Sequence, residues 1–381
     1  MSEPLPRVIP VSGFALGEFE PLSEILGRVV ADQGGGAALA IYRDGVPVVD
    51  LVAGDYPDDA LQVVFSVSKA VSSIVAAQLH AEGALDLDAA LADVWPAFSD
   101  AERAGITTRQ VLAHRSGLAV ISEPLTFEQI LADGGEAAVE RQRPLWEPGT
   151  RHGYHSFTFG PLLDGVVRRT TGRTVGELIH ERVATPLSAE FWLGTPVELH
   201  PRVRPITFRE TLLTPHQARR AADGTVHPDS TVGTLLGHPA HFNTPEVLSA
   251  SWPAASGVGS ARGLARIMAA TLGPVDGVRL LDESAREGMR ATRSRGDDAV
   301  LGIPIHIGSG MQLPFPQFPM LGPTSYGHEA AGGSAAFADL DSGLAIAFTT
   351  SVFPHMHGNS RQFAALLPTI RHLADADHTP V

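Results

Sequence analysis

The sequence contains no cysteine. That excludes disulfides, cysteine nucleophiles and thiolate metal sites together. It holds no run of about 18 consecutive apolar residues, so no segment reads as a membrane-spanning helix. The opening residues, MSEPLPRVIPVSGFALGEFEPL, lack a basic region ahead of an apolar one, and Pro10, Ser12 and Gly13 interrupt their apolar stretch. No secretory signal is expected, and the expected location is cytoplasmic. Lysine is almost absent: of 28 basic residues, 27 are arginine, and the one lysine is Lys69. Arginine keeps its proton at any working pH, whereas a desolvated lysine can give it up. Position 69 is thus marked as a place where a guanidinium would fail. Basic residues are outnumbered by 42 acidic ones, a net charge of −14, which opposes nucleic acid or an anionic membrane as partner. Tyrosine is scarce too, at positions 42, 56, 154 and 326 only.

What is present describes a folded globular chain. Its 381 residues are 44% hydrophobic and 18% charged, enough for one or two domains around a shared core. Leu22, Ile25, Leu26, Val29 and Val30 recur at helical spacing and run into the turn-forming Gly34-Gly35-Gly36. Two strand-like runs follow across 37–54, turning at Asp44-Gly45. The C-terminus inverts this order, with a hairpin across 333–351 turning at Asp341-Ser342-Gly343. An amphipathic helix follows through Phe363, Leu366, Leu367, Ile370 and Leu373, with a kink expected at Pro368. Helix–hairpin at one end and hairpin–helix at the other predict an α+β fold. In it, residues 1–65 and 250–381 form one antiparallel sheet flanked by the terminal helices, and 66–249 form a mainly helical insertion. Within the insertion, SVSKAVSSIVAAQLHAEG (66–83) is apolar around most of its circumference and reads as a buried helix ending at Gly83. Thr174 and Glu177 form a capping box. Residues 200–256 read as long loops.

Ser66-Val67-Ser68-Lys69 is an S-x-x-K arrangement. Three residues apart on a helix, the two side chains share a face and can hydrogen-bond. A serine at the helix N-terminus also gains a favourable dipole and unpaired N–H groups that can face an oxyanion. Moving a lysine from about 10.4 to near 7 takes roughly 4–5 kcal/mol, within reach of burial in an apolar helix. A second proton-transfer group is needed. Tyr42 lies in a strand run and Tyr56 in an acidic loop. Tyr154 sits at a loop–helix junction that can present a phenol to a cleft. Tyr326, at the entry to the C-terminal hairpin, is the reserve candidate. No serine lies in G-x-S-x-G, and there is no H-E-x-x-H. His238/His241 and His355/His357 lack acidic companions, so no metal site is expected.

In these residues the chain resembles the serine β-lactamase and penicillin-binding-protein superfamily. It is most similar to that superfamily's class C-like branch and, within it, to the family VIII carboxylesterases. VFSVSK, the H-x-S-G-L of 114–118, the region around Tyr154-His155-Ser156, GDDAVLGIPIHIGSGMQL (296–313) and YGHEAAGGSAAFADLDSGLAIAF (326–348) carry the likeness. It implies Ser66 as nucleophile, Lys69 as base and Tyr154 as their partner. The backbone N–H groups of Ser66 and Ala331 would form the oxyanion hole, with His155, His328 and Glu329 against the substrate. The relatives' Y-x-N is here Y-H-S, and their K-T-G or H-T-G is His328-Glu329-Ala330. Losing the Asn and the lysine ammonium disfavours a β-lactam or peptide and favours a neutral ester. The expectation is a cofactor-free serine carboxylesterase acting on a small ester or acyl substrate. Alternatives are an acyltransferase using the same acyl-enzyme, a weak β-lactamase or D,D-peptidase, and a non-catalytic binding module.

Overall fold

A computed structural model describes residues 9–123, 125–208, 239–353 and 361–376. Both ends of the chain feed one six-stranded antiparallel sheet. Its strands are β1 (Val11–Ala15), β2 (Gly36–Arg43), β3 (Val46–Gly54), β4 (Ser325–Glu329), β5 (Ala335–Asp339) and β6 (Leu344–Thr350), in the order β1-β3-β2-β6-β5-β4. The β2–β3 turn falls at Asp44-Gly45, both with positive φ (49° and 81°), the backbone that a two-residue hairpin requires. The second expected hairpin forms as β5–β6, with Gly343 at φ 66°. A register shift between Ile41 and Tyr42 pairs Tyr42 with Pro47, whose missing N–H the irregularity accommodates.

Strand alternation gives the sheet two unlike faces. Leu39, Ile41, Phe337, Leu344, Ile346 and Phe348 pack against the terminal helices α1 (Pro21–Gln33) and α5 (Arg361–Ala376). α5 continues through Pro368 as one element. The opposite face is alanine-rich, with Ala38, Ala40, Ala336, Ala338, Ala345 and Ala347. These small side chains let α4 (Ala261–Leu272) lie directly on the central strands. The helix starts where the Ser260 hydroxyl accepts from the Gly263 N–H at 3.0 Å.

α2 (Val67–Ala81) packs between this alanine face and later helices of the 66–249 stretch. Its three serines past position 66 are all buried and all satisfied: Ser68 Oγ donates to Phe65 O, Ser72 Oγ to Pro253 O and Ser73 Oγ to Lys69 O. The insertion includes α3 (Phe159–Thr171), which stops at Gly172 (φ 73°). The capping box at Thr174 and Glu177 is present, and matching ones occur at Thr107/Gln110 and Thr126/Gln129. Of the stretch expected as loops, 209–238 lies outside the described residues; the remainder is short helical turns, irregular chain and a two-residue strand, Thr207–Phe208, paired with Val352–Phe353. Of the four histidines weighed as metal ligands, His238, His355 and His357 also lie outside them. Among the described residues no helix is long and apolar enough to cross a membrane, and no cluster could hold a metal ion.

Candidate active site

Ser66 sits at the head of α2, 8% exposed, with Phe65 before it in the left-handed region at φ 45°. A bulky residue there is strained, and the conformation persists only because its surroundings hold it. Two grips are visible. The Ser68 hydroxyl donates to Phe65 O at 2.5 Å and accepts from the Gly257 N–H at 2.9 Å. The Phe65 ring packs on Phe242 and Phe353, with centroids 4.6 and 5.5 Å away. Gly257 is required for this closeness, since a Cβ would meet Ser68 Oγ at 2.5 Å.

Lys69 is fully buried. Its Nζ lies 2.8 Å from Ala254 O, 2.9 Å from Ser156 O and 3.3 Å from Ser66 Oγ. The first two are carbonyls and can only accept; the third neighbour is a hydroxyl and can also donate. A neutral amine has two N–H bonds and one lone pair. Given to the two carbonyls, the N–H bonds leave the lone pair facing the serine. Burial, with no carboxylate to offset it, pushes the amine well below its usual range.

Tyr154 reaches the same point from the loop ahead of α3. Its phenol is buried and pushed upward, chiefly by burial, while hydrogen bonding to Ser66 acts the other way. It lies 3.5 Å from His328 Nε2, and its ring packs on His114 at 4.7 Å between centroids. His328 is buried, its Nδ1 donating to Glu329 O at 2.5 Å, and burial lowers it to about 3. Its Nε2 is therefore free to accept from the phenol. Burial thus shifts all three groups toward their uncharged forms: amine and imidazole downward, phenol upward.

Two of the expected substrate contacts fall elsewhere. His155 is fully buried: Nδ1 donates to Gly153 O and Nε2 accepts from the Ser116 hydroxyl, both at 2.6 Å. Burial lowers it to about 4. Both nitrogens are spent on the loop, so it holds the turn before α3 and does not face a substrate. Glu329 is corrected by strand alternation. His328 pairs with Ala336, on the α2 side of the sheet, whereas Glu329 pairs with Ala335, on the terminal-helix side. It lines a separate cavity of about 250 Å³ with Phe318, Phe363, Leu367 and Arg371, where burial raises its carboxyl well above the usual range.

The turn carrying Ala331 abuts the head of α2: a Cβ on Gly332 would meet the Phe65 ring at 2.5 Å. Ala330 N–H donates to Ser334 O and Gly333 N–H to Ala330 O, but the Ala331 and Ser66 N–H groups have no partner among the described residues. Of the other tyrosines, Tyr326 is buried with its hydroxyl 2.8 Å from Thr271 Oγ1, and Tyr56 donates to Gln62 Oε1 at 2.7 Å. Tyr42 packs in the core on the alanine-rich face. None of the three is bonded to Ser66 or Lys69.

Sequence reasoning missed several groups that build the site. The carbonyls of Ser156 and Ala254 hold the amine, and His114 Nδ1 accepts from the His155 N–H at 3.0 Å. The Asp298 carboxylate accepts from the Tyr154 N–H at 3.0 Å. Both His114 and Asp298 lie in segments that carried the family likeness, which was the available signal.

Known proteins resemble this chain in sequence and in fold. The chain is 32% identical over 336 residues to the esterase/beta-lactamase LipL of Mycobacterium tuberculosis, covering 82% of this chain and 76% of LipL. EstA from Arthrobacter nitroguajacolicus Rue61a superposes with a TM-score of 0.85 at 29% identity, over 96% of this chain and 99% of EstA. A family VIII carboxylesterase superposes at 0.84 with 25% identity, over 96% of this chain and 100% of the other. Residues 23–368, nearly the whole chain, match the family model described as Beta-lactamase. With the antiparallel sheet and its terminal helices, that match over nearly the full length shows that this chain belongs to the Beta-lactamase family.

Proposed function

We propose that the chain hydrolyses small carboxylic esters through an acyl-enzyme on Ser66. One observation carries the reading: the sole lysine is buried with two carbonyls taking its N–H bonds and only a serine hydroxyl left for its lone pair. In the first half-reaction Lys69 takes the Ser66 proton as Oγ attacks the acyl carbonyl. The resulting oxyanion lies toward the Ser66 and Ala331 N–H groups. As the tetrahedral intermediate collapses, the C–O bond to the alcohol breaks, and Tyr154 gives its proton to the departing oxygen. The phenolate recovers a proton from Lys69, so the alcohol leaves neutral. Water then attacks the acyl-enzyme with the same groups acting in reverse, releasing the carboxylic acid.

Ester specificity is supported by the departures from the β-lactam pattern. Ser156 stands where an amide side chain would hold a lactam, and its carbonyl is engaged with Lys69. The names of LipL and of the carboxylesterase neighbour point the same way. LipL's name joins both activities, so p-nitrophenyl esters from acetate to dodecanoate should be assayed beside nitrocefin. Turnover of short esters, with covalent fluorophosphonate labelling that disappears in Ser66→Ala, is expected. Labelling that persists in Ser66→Ala moves the nucleophile elsewhere, and nitrocefin turnover exceeding every ester replaces the esterase reading.

A further inference from the structure

Tyr154 can serve as proton donor only if its hydroxyl is held against Ser66, yet its own loop lacks regular secondary structure. What holds it comes from a distant stretch of chain. Asp298, 1% exposed, directs a single oxygen at three backbone donors: Oδ1 accepts from Tyr154 N–H at 3.0 Å, Val300 N–H at 2.9 Å and Leu301 N–H at 2.8 Å. Its Oδ2 is buried with no hydrogen-bond partner among the described residues. The two segments are joined further where Ala299 N–H donates to His152 O at 3.0 Å and His152 Nε2 donates to Gly296 O at 3.2 Å. The 298 turn is itself closed by Asp298 N–H to Ile303 O and Gly302 N–H to Asp298 O. Val300 packs against Ala119, Val120 and Trp146, which seats the turn on the insertion.

A buried carboxylate with one orphaned oxygen is costly, and burial alone raises its protonation tendency. Closing the Val300–Leu301 turn would need only a neutral acceptor. The additional bond goes to Tyr154, the one tyrosine that reaches Ser66. A charged acceptor bonds each N–H about twice as strongly as a neutral one. We propose that Asp298 is a positioning residue for the reaction: it grips the Tyr154 backbone and so fixes the phenol against Ser66. This rests on the reading of Tyr154 as proton donor to the departing alcohol.

The test exploits leaving-group chemistry. A p-nitrophenolate departs with little need of a proton, whereas an alkoxide needs one. kcat and KM would be measured for p-nitrophenyl acetate and for a simple alkyl acetate in the wild type, Asp298→Asn, Asp298→Ala, Tyr154→Phe and the two double variants, with folding checked by circular dichroism. Asp298→Ala should lower kcat/KM, which reports acylation and not the deacylation step common to both acetates, by about 10²-fold for the alkyl ester, as a displaced catalytic group does, with a much smaller effect on kcat/KM for the p-nitrophenyl ester. Asp298→Asn, which keeps an oxygen but no charge, should show the same selective pattern at smaller amplitude, so it decides the matter if the alanine variant does not fold. In the Tyr154→Phe background either change should add less than about twofold. Equal losses on both esters, or losses undiminished without the phenol, would overturn the proposal and leave Asp298 a merely structural residue. If Tyr154→Phe itself shows no leaving-group dependence, it is the role of Tyr154 that fails.

Discussion

The Lys69 amine and the Ser66 hydroxyl stand 3.3 Å apart at the head of one buried helix, and the amine's other two neighbours are carbonyl oxygens at 2.8 and 2.9 Å. That arrangement fits an amine that carries two protons better than one that carries three, because three N–H bonds would set one of them toward the nucleophile's oxygen.

Lys69→Arg should abolish p-nitrophenyl ester hydrolysis. A guanidinium cannot act as base and is too broad for the pocket between Ser156, Ala254 and the rings of Tyr154 and Phe159. The assay is paired with circular dichroism. A folded arginine variant with wild-type turnover removes Lys69 from the mechanism.

Burial holds the Lys69 amine well below its ordinary value, so the native state lacks a proton that the unfolded chain binds below about pH 10.4. The sign follows: as pH rises from the folded value toward the unfolded one, this residue's contribution to stability improves, and as pH falls through the folded value the base is lost. Urea unfolding across that range should give a steeper rise in stability for the wild type than for Lys69→Met. The acid limb of kcat/KM should lie at the folded value. Parallel stability curves for the two proteins would contradict this account.

Tyr154→Phe should lower ester turnover by about 10²–10⁴-fold while leaving Ser66 open to fluorophosphonate labelling. Tyr326→Phe is the control: its hydroxyl meets Thr271 in the core, so it should cost about 1 kcal/mol of stability and little activity. Activity lost in the second variant and kept in the first would exchange their roles.

Ser68→Ala leaves the Gly257 N–H without its acceptor and the Phe65 carbonyl without the hydroxyl. A loss of about 1–3 kcal/mol in urea unfolding is expected, with slower acylation because Phe65 relaxes from its left-handed backbone. Unaltered acylation in a destabilised variant would separate the strained residue from catalysis.

Much of this was legible because the relevant signals are local. Asp44-Gly45 declares its turn within two residues, the apolar circumference of 66–83 declares burial, and a serine three residues before a lysine declares a shared helix face. The groups that tune the site are distant or anonymous. Ala254 O and Ser156 O act as main-chain oxygens, which any residue supplies, so no side chain advertises them. Asp298 meets Tyr154 from 144 positions away. The family likeness set Glu329 beside His328 at the substrate, but alternation along the strand turns neighbouring side chains to opposite faces of the sheet, and the letters alone do not show which face is which.

The near-absence of lysine has a practical consequence. With its only ε-amine enclosed behind Ser66, the folded protein offers no exposed lysine to amine-directed chemistry. Surface-coupling reagents that seek lysine should therefore leave Lys69 unmodified while the fold is intact. Modification of Lys69 itself would report that the helix carrying the nucleophile had opened.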